Sequence, residues 1–119
     1  MEKPFKFVSP AAKRAFLDLP KGIQRQFGTD LNAVQQGHAP FSDFKDVSSS
    51  VGTGSIELIE NGSPAFRAIY CAKWLNTVYI LHAFTKTKNG VDRAALATAR
   101  ARYREMKAEI AAAENLARR

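Results

Sequence analysis

Between Ser55 and Thr85 the chain holds three strand-like runs, Ser55 to Glu60, Ala65 to Trp74 and Thr77 to Thr85, separated by only four and two residues. Links this short cannot carry a crossover, so the three runs must pair as antiparallel neighbours. The linking residues agree, with Asn61-Gly62-Ser63-Pro64 in the first turn and Leu75-Asn76 in the second. A meander therefore occupies the middle of the fold, and the segments on either side have to supply its cover.

Upstream, residues 4 to 8 (PFKFV) alternate apolar and polar side chains and predict a short first strand. Ser9-Pro10 follows as a helix cap with proline in the first helical position. The first helix carries Ala12, Phe16 and Leu19 on one side and stops at Leu19-Pro20, because the residue before a proline is pushed out of helical geometry. A second helix bears Ile23, Phe27, Leu31 and Val34 at helical spacing and ends near Gly37. From His38 to Gly54 the chain is rich in Ser, Gly, Pro and Asp and reads as a connecting segment anchored by Phe41 and Phe44. Asp92 is placed to cap a last helix with Leu96, Ala99, Tyr103, Met106, Ile110 and Ala113 on one stripe. Its other faces carry Arg93, Arg100, Arg102, Arg104 and Lys107, and its tail, residues 112 to 119, is expected to fray.

The expected architecture is a single α+β domain over residues 1 to 119. Its order is strand, two helices, a three-stranded antiparallel meander joining the first strand in one sheet, and a C-terminal helix, with helices against one face of the sheet. At 119 residues there is room for one core and no second domain. Eighteen basic against eleven acidic residues give a net charge of +7, which favours an anionic partner such as nucleic acid or an acidic protein segment. The single cysteine, Cys71, cannot form an internal disulfide, and no Cys/His spacing suits zinc. No Gly-rich phosphate cradle or metal-binding pair occurs, so no cofactor is expected. With neither a secretion signal nor an apolar run of about 18 residues, the expected location is the cytoplasm, away from membranes.

The stretch from Phe66 to Lys88, FRAIYCAKWLNTVYILHAFTKTK, resembles the core of the HigB-like, phage Gp49-like branch of the RelE/ParE toxin superfamily. The resemblance is carried by Phe66-Arg67, by Leu81-His82-Ala83-Phe84, by Lys86 and Lys88, and upstream by Glu57-Leu58. Ile59 stands where the branch usually has arginine, and VDRAA lacks the tyrosine of the strongly cleaving RelE members. The resemblance implies a RelE-like fold and a toxin that enters the ribosomal A site and cuts messenger RNA. It also implies partners: the ribosome, mRNA, and a cognate antitoxin of helix-turn-helix type that keeps the toxin silent. ParE-like relatives inhibit DNA gyrase instead, and a phage-derived binding protein without activity is a third reading, since fold alone does not separate these.

Metal-independent RNA cleavage needs a base for the 2′-hydroxyl, a cation for the phosphate and an acid for the leaving oxygen. Arg67 is the candidate for the phosphate, its planar guanidinium being suited to paired hydrogen bonds; the alternative is an arginine paired with Glu57 or Glu60. Strand alternation puts Arg67, Ile69, Cys71 and Lys73 on one face, with Phe66, Ala68, Tyr70, Ala72 and Trp74 on the other. On the next strand it groups Val78, Ile80, His82, Phe84 and Lys86. His82 is thus either a proton shuttle or a hydrogen-bonded core histidine. Tyr70 and Trp74 are either base-stacking platforms or core, and Cys71 and His38 are read as a buried apolar residue and an exposed loop residue. Arg67, His82 and Lys86 are the candidate catalytic residues, and Lys73, Lys88 and Arg93 the candidate RNA-binding ones.

Overall fold

The computed structural model describes residues 3–87 and 89–118. Strand β1 (Phe5–Phe7) leads into helices α1 (Pro10–Leu17) and α2 (Lys21–Gln35). Strands β2 (Asp43–Asp46), β3 (Ser55–Glu60), β4 (Ala65–Cys71) and β5 (Val78–Lys86) follow, and α3 (Arg93–Ala117) closes the chain. The five strands form one mixed sheet in the order β1-β5-β4-β3-β2, with β1 parallel to β5 and every other pair antiparallel. The expected α+β order holds.

The helix starts follow from local chemistry. The Ser9 hydroxyl accepts from the Ala12 N–H at 3.2 Å ahead of Pro10, and the Asp92 carboxylate accepts from the Ala95 N–H at 3.0 Å, each satisfying a donor the first turn leaves orphaned. At the end of α2, Gly37 adopts a left-handed φ of 87°, which glycine reaches without steric cost. α3 stays helical to Ala117, through most of the stretch expected to fray, where alanine favours the helix although residues 111–118 are exposed.

Three features depart from the sequence expectation. The segment after His38 contains a strand, β2, which pairs with β3 through Lys45 opposite Glu57 and extends the meander to four strands. The helices do not share one face of the sheet. α1 and α2 bury Phe16, Phe27, Leu31 and Val34 against Leu58, Phe66, Ala68, Val78 and Ile80. α3 covers the other face, setting Ala99, Met106 and Ile110 on Ile69, Cys71, Tyr79 and Leu81. Two cores thus lie back to back across the sheet.

The third departure is a β-bulge. Ile69 is opposite His82 but Tyr70 is opposite Ile80, so Leu81 is an extra residue in β5. Val78 and Ile80 face α1 and α2 as alternation predicts, but beyond Leu81 the parity reverses and Phe84 packs in the α3 layer. Trp74 also joins the α3 layer rather than the side of Phe66 and Tyr70, because regular alternation stops where β4 ends at Cys71. Tyr70 is core; burial, helped by the Asp30 carboxylate and the Cys71 thiol, pushes its hydroxyl up to about 12.

If α3 is an integral layer, Met106→Ala should cost about 2–5 kcal/mol of unfolding free energy, as Leu31→Ala should from the opposite core. Urea denaturation measures both. A cost below about 0.5 kcal/mol for Met106→Ala would mean that the helix only rests on the surface.

Candidate functional site

The α3 face of the sheet changes character along its length. Under the helix it is apolar, but beyond the helix start the same face presents Lys45 from β2, Glu57 from β3, Arg67 from β4, and Phe84 and Lys86 from β5. These residues, with Val91, Asp92 and Leu96, line a cleft of about 420 Å³. A neighbouring hollow of about 520 Å³ is lined by the 61–65 turn, Thr87 and Asn89, and shares Arg67 and Lys86 with the cleft.

Glu57 is the centre of the charge arrangement. Only 5% exposed, its Oε1 lies 3.6 Å from Lys45 Nζ and 3.8 Å from Arg67 Nε. Arg67, 8% exposed, is held from three sides. Its Nη1 donates to the carbonyls of Phe66 at 3.0 Å and Glu60 at 3.3 Å, and its Nη2 donates to Asn61 Oδ1 at 3.0 Å. The guanidinium therefore also braces the β3–β4 turn. Five N–H donors less these three leaves, among the described residues, Nε–H and one Nη2–H without a hydrogen-bonded acceptor at the edge of the cleft.

His82 is close to this site but does not line it. Its ring stacks on Phe84 at 5.3 Å between centroids, and its Nδ1 lies 2.8 Å from Arg102 Nη1. A guanidinium is only a donor, so Nδ1 accepts and the ring proton sits on Nε2. Burial, reinforced by the positive Arg102 and opposed by Asp92, pushes the imidazole down to about 4. At neutral pH it is uncharged. Arg102, expected on an outer face of the last helix, instead reaches inward, and its Nη1 also donates to the Leu81 carbonyl at 3.2 Å.

The sheet brings Arg67 and Lys86 together. Arg93, the first residue of α3, is exposed beside the cleft-lining Asp92. Lys73 is elsewhere: it follows the end of β4, six residues and roughly 20 Å along an extended chain from Arg67. Lys88 lies outside the described residues. Lys45 is the residue the sequence reading missed, because Asp43-Phe44-Lys45-Asp46 holds a single apolar residue and lies inside a segment read as connecting loop. Glu57 entered the sequence reading as part of the family resemblance and as a partner for Arg67, not as a site residue. Among the described residues no group of three or more His, Cys, Asp or Glu is placed to hold a metal ion. Nor is any helix among them long and apolar enough to cross a membrane.

Fold and cleft together define a small α+β protein whose sheet end presents a buried carboxylate among cations. The family profile described as Phage derived protein Gp49-like (DUF891) matches residues 14–104, about three quarters of the chain. The chain belongs to this family, which falls in the RelE/HigB toxin-like group. No curated protein and no solved structure matched it.

Because His82 is held neutral, its folded-state affinity for a proton is below that of the unfolded chain, whose ordinary value is 6.5. Between pH 6.5 and about 4 the unfolded state binds more protons, so stability present above 6.5 should be lost as pH falls through that window. His82→Gln should flatten this loss in urea titrations. An equally steep decline in the variant would show that His82 is not the group responsible.

Proposed function

We propose that this protein is the toxin of a toxin–antitoxin pair, of HigB-like type, acting in the cytoplasm as a ribosome-dependent endonuclease on messenger RNA. Membership of the Gp49-like family supports a RelE/HigB-type toxin with a cognate antitoxin, of helix-turn-helix type in this reading. The observation that carries the reading to chemistry is Glu57, buried between Lys45 and Arg67 at the floor of a cleft with Lys86 on its lining.

In this reading the Glu57 carboxylate takes the proton of a 2′-hydroxyl, the freed oxygen attacks the adjacent phosphorus, and the bond to the 5′ oxygen breaks. The remaining donors of Arg67 bind the phosphate oxygens as charge grows on them. The Lys86 ammonium supplies the proton to the leaving 5′ oxygen, and Arg93 steers the backbone along the start of α3. His82 acts through Phe84: its neutral ring holds that aromatic side chain at the cleft lining, where a base can stack on it. A second reading, a non-cleaving binder, is favoured by the three intramolecular hydrogen bonds that already engage Arg67.

Induced expression should arrest growth, and both Arg67→Ala and Glu57→Gln should relieve the arrest while retaining the fold by circular dichroism. Primer extension on cellular messages should show cuts within codons, falling about 100-fold or more in either variant. Growth arrest without cuts would favour the non-cleaving binder. Arrest as strong in both variants as in the parent would remove the cleft from the mechanism.

A further inference from the structure

At the end of β4 remote from the cleft, the chain leaves the sheet and passes Trp74 before a tight turn at Leu75 and Asn76, both with positive φ. Trp74 packs into the α3 layer, and its indole Nε1 is buried with no acceptor among the described residues. Two ammonium groups lie against the same ring. Lys107, from α3, has its Nζ 3.4 Å from the ring centroid, and Lys73 has its Nζ at 5.7 Å. The stem of Lys73 lies across Gly54, whose left-handed φ of 85° and lack of a Cβ leave it room.

This corner collects positive charge with no carboxylate among the described residues paired to it. Among the described residues neither lysine has a carboxylate within 4 Å, and Glu109, two residues beyond Lys107, is engaged by Lys6 at 2.9 Å. The ring face offsets part of the repulsion between the two cations. It offers no acceptor for their protons or for the indole N–H. A phosphate group meets the two cations together, since its several oxygens accept from both ammoniums, while the indole N–H stays buried beneath them.

We propose that Lys73, Lys107 and Trp74 form a second anion site that binds a phosphate of a single-stranded nucleic-acid backbone, at the opposite end of the sheet from the Arg67 cleft. The site rests on the nucleic-acid part of the reading above but not on cleavage. It holds the strand at a distance from the place where chemistry would occur, so loss of either site leaves the other intact.

Trp74 is the only tryptophan in the chain and reports on its own site. The full-length protein is titrated at low salt with a single-stranded oligoribonucleotide and, separately, with inorganic phosphate, following tryptophan emission. The expected result is a saturable change with both, the oligonucleotide acting at a concentration at least tenfold lower. Lys73→Gln with Lys107→Gln should weaken the oligonucleotide response tenfold or more, with each single variant intermediate and the thermal unfolding midpoint within a few degrees of the parent. Arg67→Gln should leave the tryptophan response to inorganic phosphate unchanged even where it abolishes growth arrest, which separates failure of this site from failure of the cleft. Three results would overturn the proposal: no saturable change, a response undiminished in the double variant, or free phosphate acting as readily as the oligonucleotide.

Discussion

The single extra residue in β5 decides which side chains meet α3. With Leu81 and His82 both set against Ile69, the strand turns its later residues over, and Phe84 arrives on the face that carries Arg67 and Glu57. Unbulged alternation would have left Phe84 on the α1–α2 side with Val78 and Ile80. The bulge also disturbs the ladder beside Leu81, and Arg102 answers by donating to that carbonyl and to His82 Nδ1. One arginine on the helix thus serves the irregularity and fixes α3 over the sheet. Further along, Tyr103 donates to the Thr53 carbonyl at 2.8 Å and Arg100 to the Ser50 carbonyl at 2.9 Å, tying in the loop that follows β2.

That attachment sets where the cover ends. α3 begins at Arg93, so residues from Leu96 onward shield Ile69, Cys71 and Leu81, while the sheet beyond stays open. The composition of the face changes at the same point, from apolar side chains under the helix to Glu57, Arg67 and Lys86 in the cleft. Cleft and cover are two consequences of one helix position.

Much of this was legible in the chain. The caps at Ser9 and Asp92, the α2 stripe and the α3 stripe from Leu96 to Ile110 all follow from local rules, because capping and helical periodicity depend on residues within a turn or two. The bulge was not legible, since nothing in Ile80-Leu81-His82 announces an extra residue when each is compatible with a buried strand. From that one miss came the wrong side for Phe84, whereas Arg102 was placed outward on its charge although it borders the stripe of Ala99 and Met106. β2 was missed for a different reason: as an edge strand with all four residues exposed it lacks the apolar alternation of a half-buried strand, and pairing with β3 rather than burial makes it a strand. Of the candidate cations, Lys86 shares the parity of Phe84, so it is the bulge that brings it to the face of Arg67. Lys73 was wrongly grouped with Arg67, because the strand it was counted along stops two residues before it.

The polar set in the cleft is not what stability alone would select. Two charged side chains as buried as Glu57 and Arg67 lose hydration that their mutual attraction only partly restores, and apolar replacements of such pairs are often neutral or stabilising by about 1–4 kcal/mol. The 3.8 Å separation of Arg67 Nε from Glu57 Oε1 is too long for a hydrogen bond, so this pair does not recover the compensation that close geometry gives. The guanidinium is held instead by two carbonyls and Asn61, which fix its position while leaving Nε–H without a hydrogen-bonded acceptor among the described residues. An arrangement that spends stability to keep a carboxylate and a guanidinium near each other, yet not bonded, is suited to an oxygen-rich ligand entering between them.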